Sequence, residues 1–95
     1  MQGTMMLQPK AMTQFKRDRR LMERRGKSIA KLKEIVGWLL AGKALPARCC
    51  DHPLTGEWSG WRDAHVEPDW VLIYKVAGDV LWLARTGTHA DLFGK

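Results

Sequence analysis

The strongest constraint on this chain is a change of hydrophobic period near Pro46. Before it, Ile29, Leu32, Ile35, Val36, Leu39 and Leu40 recur at three- and four-residue steps, which gathers them on one face of a helix. Ser28 is the expected cap of that helix, and it ends near Gly42. A shorter helix precedes it. Thr13 is its expected N-cap, Phe15 and Leu21/Met22 supply an apolar stripe, and Gly26 is its natural stop. After Pro46 the helical period disappears. Residues 47–59 read as a loop punctuated by Pro53, Gly56 and Gly60. "WRDAHV", "WVLIYKV" and "VLWLAR" then read as three strands rich in β-branched and aromatic residues. "EPD" and "AGD" between them are short enough for hairpin turns, so the strands should form an antiparallel meander. Residues 5–9, "MMLQP", are expected to be an edge strand ended by Pro9, and "TGTHADLFGK" a C-terminal tail.

The expected class is therefore α+β: a helical hairpin over about 13–42, packed on one face of a small, mainly antiparallel sheet whose meander covers about 60–86. With 95 residues the whole chain, 1–95, is expected to be one domain with one small core. No apolar run is long enough to span a bilayer. In "MQGTMMLQPKAMTQFKRDRR" the charge follows the mildly apolar part, the reverse of a secretory signal, so a cytoplasmic address is expected.

Charge is distributed unevenly. Between Lys10 and Lys33 ten basic residues stand against two acidic ones, a local +8, while the rest of the chain carries −2. One or two arginines on a helix face are ordinary solvation. Ten basic residues in 24 positions point to a polyanion, with an acidic protein as the other option. Cys49 and Cys50 are adjacent, so they cannot form a disulfide framework and read as small half-buried thiols.

The titratable chemistry clusters elsewhere. Residues 51–70, "DHPLTGEWSGWRDAHVEPDW", hold two of the three histidines, three of the five tryptophans and five acidic residues. On the expected frame His52 lies in the loop before the sheet, His65 ends the first meander strand and Asp69 is in the turn after it. Arg85 ends the last strand and His89 follows four residues later. Strand ends and loops of an antiparallel sheet can converge, so these five residues can share a cleft. They suit metal-free cleavage of RNA. A base takes the proton of the 2′-hydroxyl, which attacks the adjacent phosphorus, and an acid protonates the departing 5′-oxygen. Histidine suits both tasks because its ordinary pKa, about 6.5, leaves both forms accessible near neutrality. Arginine suits the charge that builds on the phosphate oxygens. Trp70 and Phe93 offer flat faces for an unpaired base. Blander roles exist for each. A lone strand histidine is usually a structural hydrogen-bonder, and Asp69 beside Pro68 suits a turn. Arg85 can pair with Asp63 or Glu67, and Trp58, Trp61 and Trp82 suit packing. Residue types alone support a small basic α+β domain that binds RNA and leave catalysis open.

The blocks "DHPL", "RDAHVEPDW", "LIYK" and "RTGTH" followed by "LF", in that order and spacing, resemble the YafQ branch of the RelE/ParE toxin superfamily. The likeness is dense from Leu45 to the end, about half of the chain; upstream only the order of elements matches. The resemblance implies a microbial-ribonuclease-like, RelE-like fold and a toxin of a type II toxin–antitoxin pair. It implies an endoribonuclease that cuts mRNA in the ribosomal A site, without a cofactor, silenced by a cognate antitoxin. The family's functional positions fall on His52, His65, Asp69, His89 and Phe93, with Trp70 and Arg85 added. His89 is the expected general acid, and the base lies between His52 and His65. The basic hairpin, through Arg19, Arg20, Arg24 and Arg25, would then dock on ribosomal RNA. Asp91 and Leu92 are expected to be free to vary. Three rival readings remain at this stage. One is a non-catalytic relative that binds DNA gyrase. Another is a zinc site on Cys49, Cys50, His52 and a distant His65 or His89, whose spacing is wrong for the usual pairs. The third is a basic RNA-binding module without turnover.

Overall fold

The two periods of the sequence become two layers. The computed structural model describes residues 6–94. In chain order it has β1 (Gln8–Ala11), α1 (Thr13–Arg24), α2 (Ile29–Leu40), β2 (His52–Pro53), β3 (Arg62–Glu67), β4 (Trp70–Ala77), β5 (Val80–Gly87) and α3 (His89–Phe93). The five strands form one sheet in the order β1-β5-β4-β3-β2. Among the described residues only the β1–β5 pair is parallel; the other pairs are antiparallel. This is the expected α+β architecture, with the helical hairpin on one face of a mainly antiparallel sheet. No helix among the described residues is long and apolar enough to cross a membrane.

The two long helices end by the same device. The N–H groups of Gly26 and Lys27 reach back to the carbonyls of Glu23 and Met22, and those of Gly42 and Lys43 to Leu39 and Trp38. This pairing needs a left-handed residue, and Gly26 and Gly42 adopt it at φ of 87° and 71°. Residues facing the sheet from the hairpin, Phe15, Met22, Leu32, Ile35 and Leu39, close over Ala64, Leu72, Tyr74, Leu81 and Leu83 of the strands. Each fully buried side chain of this size contributes about 1.5–3 kcal/mol through removal from water.

Several boundaries differ from the sequence expectation. The edge strand is not ended by Pro9 but runs from Gln8 through Ala11; the edge position leaves one side of β1 unpaired, where a proline without an N–H is tolerated. Met5 lies outside the described residues. Met12, not Thr13, is the N-cap of α1, and its own N–H is taken by Leu83 O at 2.9 Å. Ser28 does cap α2, but its side chain makes no capping bond. Residues 47–59 are not all loop: they hold β2 between two single 3-10 turns. The expected tail is α3, closed by a capping box. The Thr88 hydroxyl accepts from Asp91 N–H at 3.1 Å, and the Asp91 carboxylate accepts from Thr88 N–H at 3.0 Å.

Register sorts the strand residues into two sets. Ala64 opposite Leu72, and Tyr74 opposite Leu83, face the helices. Asp63 opposite Ile73, and His65 opposite Val71, face the other way, and His52 lies opposite Asp63. A bulge in β5 at Ala84 shifts the register, so Arg85 stands opposite Ile73 and Thr86 opposite Leu72.

Candidate active site

The uncovered face carries the chemistry. Its floor is Val71, Ile73 and Ala84, all buried, with Leu54, Trp58, Trp61, Leu92 and Phe93 packed around them. A cavity of about 450 Å³ opens there between Leu54, Asp63, His89 and Phe93.

His89 is the best-positioned titratable group. It is the first residue of α3, held by the capping box and by close packing over Gly87, where a Cβ would meet Asp91 at 3.0 Å. Asp69, in the turn between β3 and β4, accepts from His89 N–H at 3.0 Å and lies 2.6 Å from His89 Nδ1. These bonds from His89 hold the Asp69 carboxyl below its ordinary range. A carboxylate can only accept, so Nδ1 carries the hydrogen and Nε2 is left for proton exchange. His65 stands edge-on to His89 with ring centroids 5.3 Å apart, and Phe93 lies tilted against His89 at 6.1 Å.

Asp63 completes the cluster, and sequence reasoning gave it only a minor part, as a partner for Arg85. It is 4% exposed, and its Oδ1 has no hydrogen-bond partner among the described residues. That oxygen lies 3.5 Å from His52 Nδ1 and 3.8 Å from His65 Nε2. Burial pushes the Asp63 carboxyl up, while His52, His65 and His89 pull it back. A buried carboxylate without a partner is costly unless cations form beside it. The signal was available, because Asp63 sits two residues before His65 and so shares its face. His52 is exposed and donates through Nδ1 to the Cys50 carbonyl at 2.6 Å. Cys50 takes the left-handed conformation, φ 47°, that turns this carbonyl toward the histidine. Cys49 is fully buried, and burial pushes its thiol up, as suits an inert packing group. Among the described residues no group of three or more His, Cys, Asp and Glu side chains is arranged to hold a metal ion, so the zinc reading of Cys49, Cys50 and His52 with His65 or His89 finds no cluster.

Two expected site residues need correction. Trp70 is not a stacking platform: it is 0% exposed, faces the helices and donates from Nε1 to Thr86 Oγ1 at 2.8 Å. Its position follows from parity with Leu72 and Tyr74. Arg85 does reach the uncovered face by register, but its partner is neither Asp63 nor Glu67. It forks onto Asp18 of α1, with Nε at 2.7 Å and Nη2 at 3.2 Å. Asp18 also accepts from Thr86 N–H and Gln14, so one buried carboxylate fixes the arginine to the helix layer. Arg85 Nη1 has no protein partner among the described residues, which leaves that donor for a ligand.

The basic hairpin is also partly committed. Arg19 is half-buried, and Arg20 and Arg24 are exposed on α1. Arg25 instead clamps Asp91 at 2.7 Å, and Lys27 and Lys31 both hold Glu67. Asp91 thus has two structural tasks: it caps α3 and ties it to the hairpin.

A mainly antiparallel sheet with a basic helical hairpin on one face and carboxylate-backed histidines on the other defines a RelE-like toxin. The comparisons narrow this. Residues 7–94 match the model of the bacterial toxin of type II toxin–antitoxin systems, YafQ, and the chain belongs to that family. It is 51% identical over 82 residues to the mRNA interferase toxin YafQ of Escherichia coli K12, covering 85% of this chain and 89% of the relative. The crystal structure of YafQ from E. coli BL21(DE3) superposes with a TM-score of 0.89 at 46% identity, over 93% of this chain and 99% of that one. The toxin of the E. coli DinJ–YafQ toxin–antitoxin complex matches with a TM-score of 0.87 at 47% identity, over 94% and 99%.

Proposed function

We propose that this chain is an mRNA interferase toxin, an endoribonuclease that cuts messenger RNA on the ribosome by metal-free acid–base chemistry. The observation that carries it is the pair of carboxylate-backed histidines, Asp69–His89 and Asp63–His65, whose rings meet edge-on at 5.3 Å. His89 is the general acid, because Asp69 fixes its tautomer and leaves Nε2 toward the cavity. His65 is the general base: its Nε2 faces Asp63, which leaves Nδ1 for the 2′-hydroxyl proton. The oxygen of that hydroxyl then attacks the adjacent phosphorus, the P–O5′ bond breaks, and His89 delivers its proton to the departing oxygen. The 2′,3′-cyclic phosphate and a 5′-hydroxyl result. His52 borders the same carboxylate, and that carboxylate supports the charge on His65. Nη1 of Arg85 meets a phosphate oxygen, and Phe93, lining the cavity, takes the base of the cut nucleotide. Each correctly placed acid or base supplies about 10²- to 10⁴-fold in rate.

The exposed edge of α1, at Arg19, Arg20 and Arg24, docks on ribosomal RNA phosphates, with Arg25 contributing only as far as its clamp on Asp91 allows. Such contacts weaken steeply with salt. A cognate antitoxin silences the toxin, as expected of a family whose E. coli member was solved as the DinJ–YafQ complex. The site of action, translating ribosomes, is cytoplasmic.

The test is induction in bacteria with primer extension on a reporter mRNA, beside His89→Ala. Growth arrest with cuts inside translated codons, both lost in the variant, is expected. Arrest without cleavage, or arrest that survives the substitution, would overturn the reading.

A further inference from the structure

The uncovered face does not end at the histidines. Toward the opposite ends of β3 and β4 it carries Trp61, Trp58 and Lys75, which take no part in the acid–base cluster. Lys75 Nζ sits 4.5 Å from the centroid of the Trp61 ring. Trp58 meets Trp61 edge to face, centroids 5.9 Å apart at 90°. Both rings are half-buried, resting on the floor of Val71, Ile73 and Ala84 that also underlies the cavity. The platform is fixed by backbone bonds, Trp61 N–H to Trp58 O at 3.0 Å and Leu54 N–H to Trp61 O at 2.9 Å. Leu54 lines the catalytic cavity itself. Among the described residues no carboxylate pairs with Lys75.

We infer that Trp61 and Lys75 form a subsite for a nucleotide flanking the cleaved bond, with Trp61 stacking its base and Lys75 holding its phosphate. This rests on the nuclease reading above and extends the same cleft. Trp61 and His65 share a face four residues apart, a separation of about 13 Å along a strand. Single-stranded RNA running along this face from the cut therefore reaches the ring within a few nucleotides. The chemistry selects nucleic acid: every base has a flat face for an indole, and each base brings a phosphate for the unpaired ammonium. In the free protein Lys75 covers the ring through a cation–π contact, and its flexible stem lets it swing to phosphate when a base takes its place. Trp58, edge-on, keeps the plane of Trp61 from tilting.

The experiment measures cleavage by the full chain on ribosomes programmed with defined mRNA in the A site. It compares wild type, Trp61→Leu, Trp61→Phe and Lys75→Ala, each with its melting temperature. Leucine keeps apolar bulk on the floor and removes the flat face. KM is expected to rise about 10-fold for Trp61→Leu, with kcat unchanged, and to recover in Trp61→Phe. Lys75→Ala should raise KM severalfold and flatten its salt dependence. Substrates with one abasic nucleotide, moved along the positions on either side of the cut, add the decisive arm. One position should cost wild type about the same factor and cost Trp61→Leu nothing further. Equal sensitivity of both enzymes at every position would overturn the subsite, as would an unchanged KM in Trp61→Leu. Unchanged KM with weakened inhibition by the cognate antitoxin would reassign the platform to that partner. A wild type that cuts no mRNA would remove the nuclease reading and this one together, whereas an active wild type with an indifferent Trp61→Leu removes only the subsite.

Discussion

The two faces of the sheet are made by the same strands and obey opposite rules. On the helix-covered face, Leu72 and Leu81 are fully buried, and the polar groups of Trp70 with Thr86 and of Tyr74 with Asp51 are closed by hydrogen bonds. On the open face, the Asp63 Oδ1 is buried without a hydrogen-bond partner among the described residues, His52 is exposed, and His65 and His89 lie against carboxylates and each other. Alternation along β3 and β4 interleaves the two: Ala64 lies between Asp63 and His65, and Leu72 between Val71 and Ile73. A strand with a period of two can thus serve a dry core and a reactive surface, provided register never slips. The covered face supplies rigidity, and the open face uses part of it to hold the Asp63 Oδ1 buried without a hydrogen-bond partner.

The sharpest way to break this comparison is to substitute neighbours of opposite parity. Leu72→Ala removes a fully buried side chain from the covered face and should destabilise the fold by about 2–5 kcal/mol. Thermal melting would record a large drop, while the fraction that remains folded should cleave normally. His65→Ala, on the other face, should lower cleavage by about 10²- to 10⁴-fold with melting nearly unmoved. Equal stability losses from the two substitutions would mean that the faces are not divided by task.

Asp63→Asn tests the cost of the open face more gently. The carboxyl of Asp63 titrates higher in the folded protein than in the unfolded chain, because burial disfavours its charge. A raised acid pKa means that the folded state binds the proton more tightly. Stability is therefore full below the ordinary aspartate value, about 3.9, and declines as pH rises through the raised one. The amide carries no such cost, so Asp63→Asn should melt higher than wild type near neutral pH, with the gap closing below about pH 4. Cleavage should fall by about 10-fold, because the histidines lose the negative charge that supports their protonated forms. A variant that is both less stable and fully active would sink the assignment.

Much of the covered face was legible because it rests on local rules. Hydrophobic period, Gly26 and Gly42 delimit the helices, and turn residues delimit the meander. What escaped depends on pairing between distant segments. The two-residue β2 exists only because β3 lies beside it, and β1 passes through Pro9 only because it is the edge partner of β5. The open face was legible in its residues but not in its wiring. His52, His65, Asp69, His89 and Phe93 do converge. Trp70 was misread because its aromatic character was weighed above its parity with Leu72 and Tyr74. Arg85 belongs to the open face only through the bulge at Ala84, which no local pattern announces. Its partner Asp18 did leave a trace: it lies three residues after Phe15 and four before Met22, a carboxylate on an apolar stripe that must find a donor. The capping box Thr88–Asp91 was equally visible in "THAD" and marks the tail as a helix.

The smallest expected effect concerns how the open face is fastened. The helix carrying His89 is tied down by charge at its N-terminal end, beside the packing of Leu92 and Phe93 on the floor. The Arg25 guanidinium and the Thr88 N–H hold the Asp91 carboxyl down at about 2, and Asp69 is lowered in the same direction by His89. A depressed acid pKa contributes stability that is full above the unfolded value, about 3.9, and is lost as pH falls through the folded one. Between about pH 4 and pH 2 these fastenings should release, while the apolar contacts of the hairpin with Leu72 and Leu81 have nothing to titrate. Amide exchange should therefore accelerate at the N–H groups of His89 and Asp91, whose acceptors are Asp69 and the Thr88 hydroxyl, before it does at Leu72. Asp91→Asn keeps an acceptor for Thr88 but loses the ion pair. It should lower stability at neutral pH by no more than about 1 kcal/mol, the range of exposed pairs. High salt should erase most of that difference, since screening weakens the wild-type pair and leaves the neutral amide untouched. Uniform exchange across both faces on acidification would show that the sheet opens as one unit and that its two faces share a single stability.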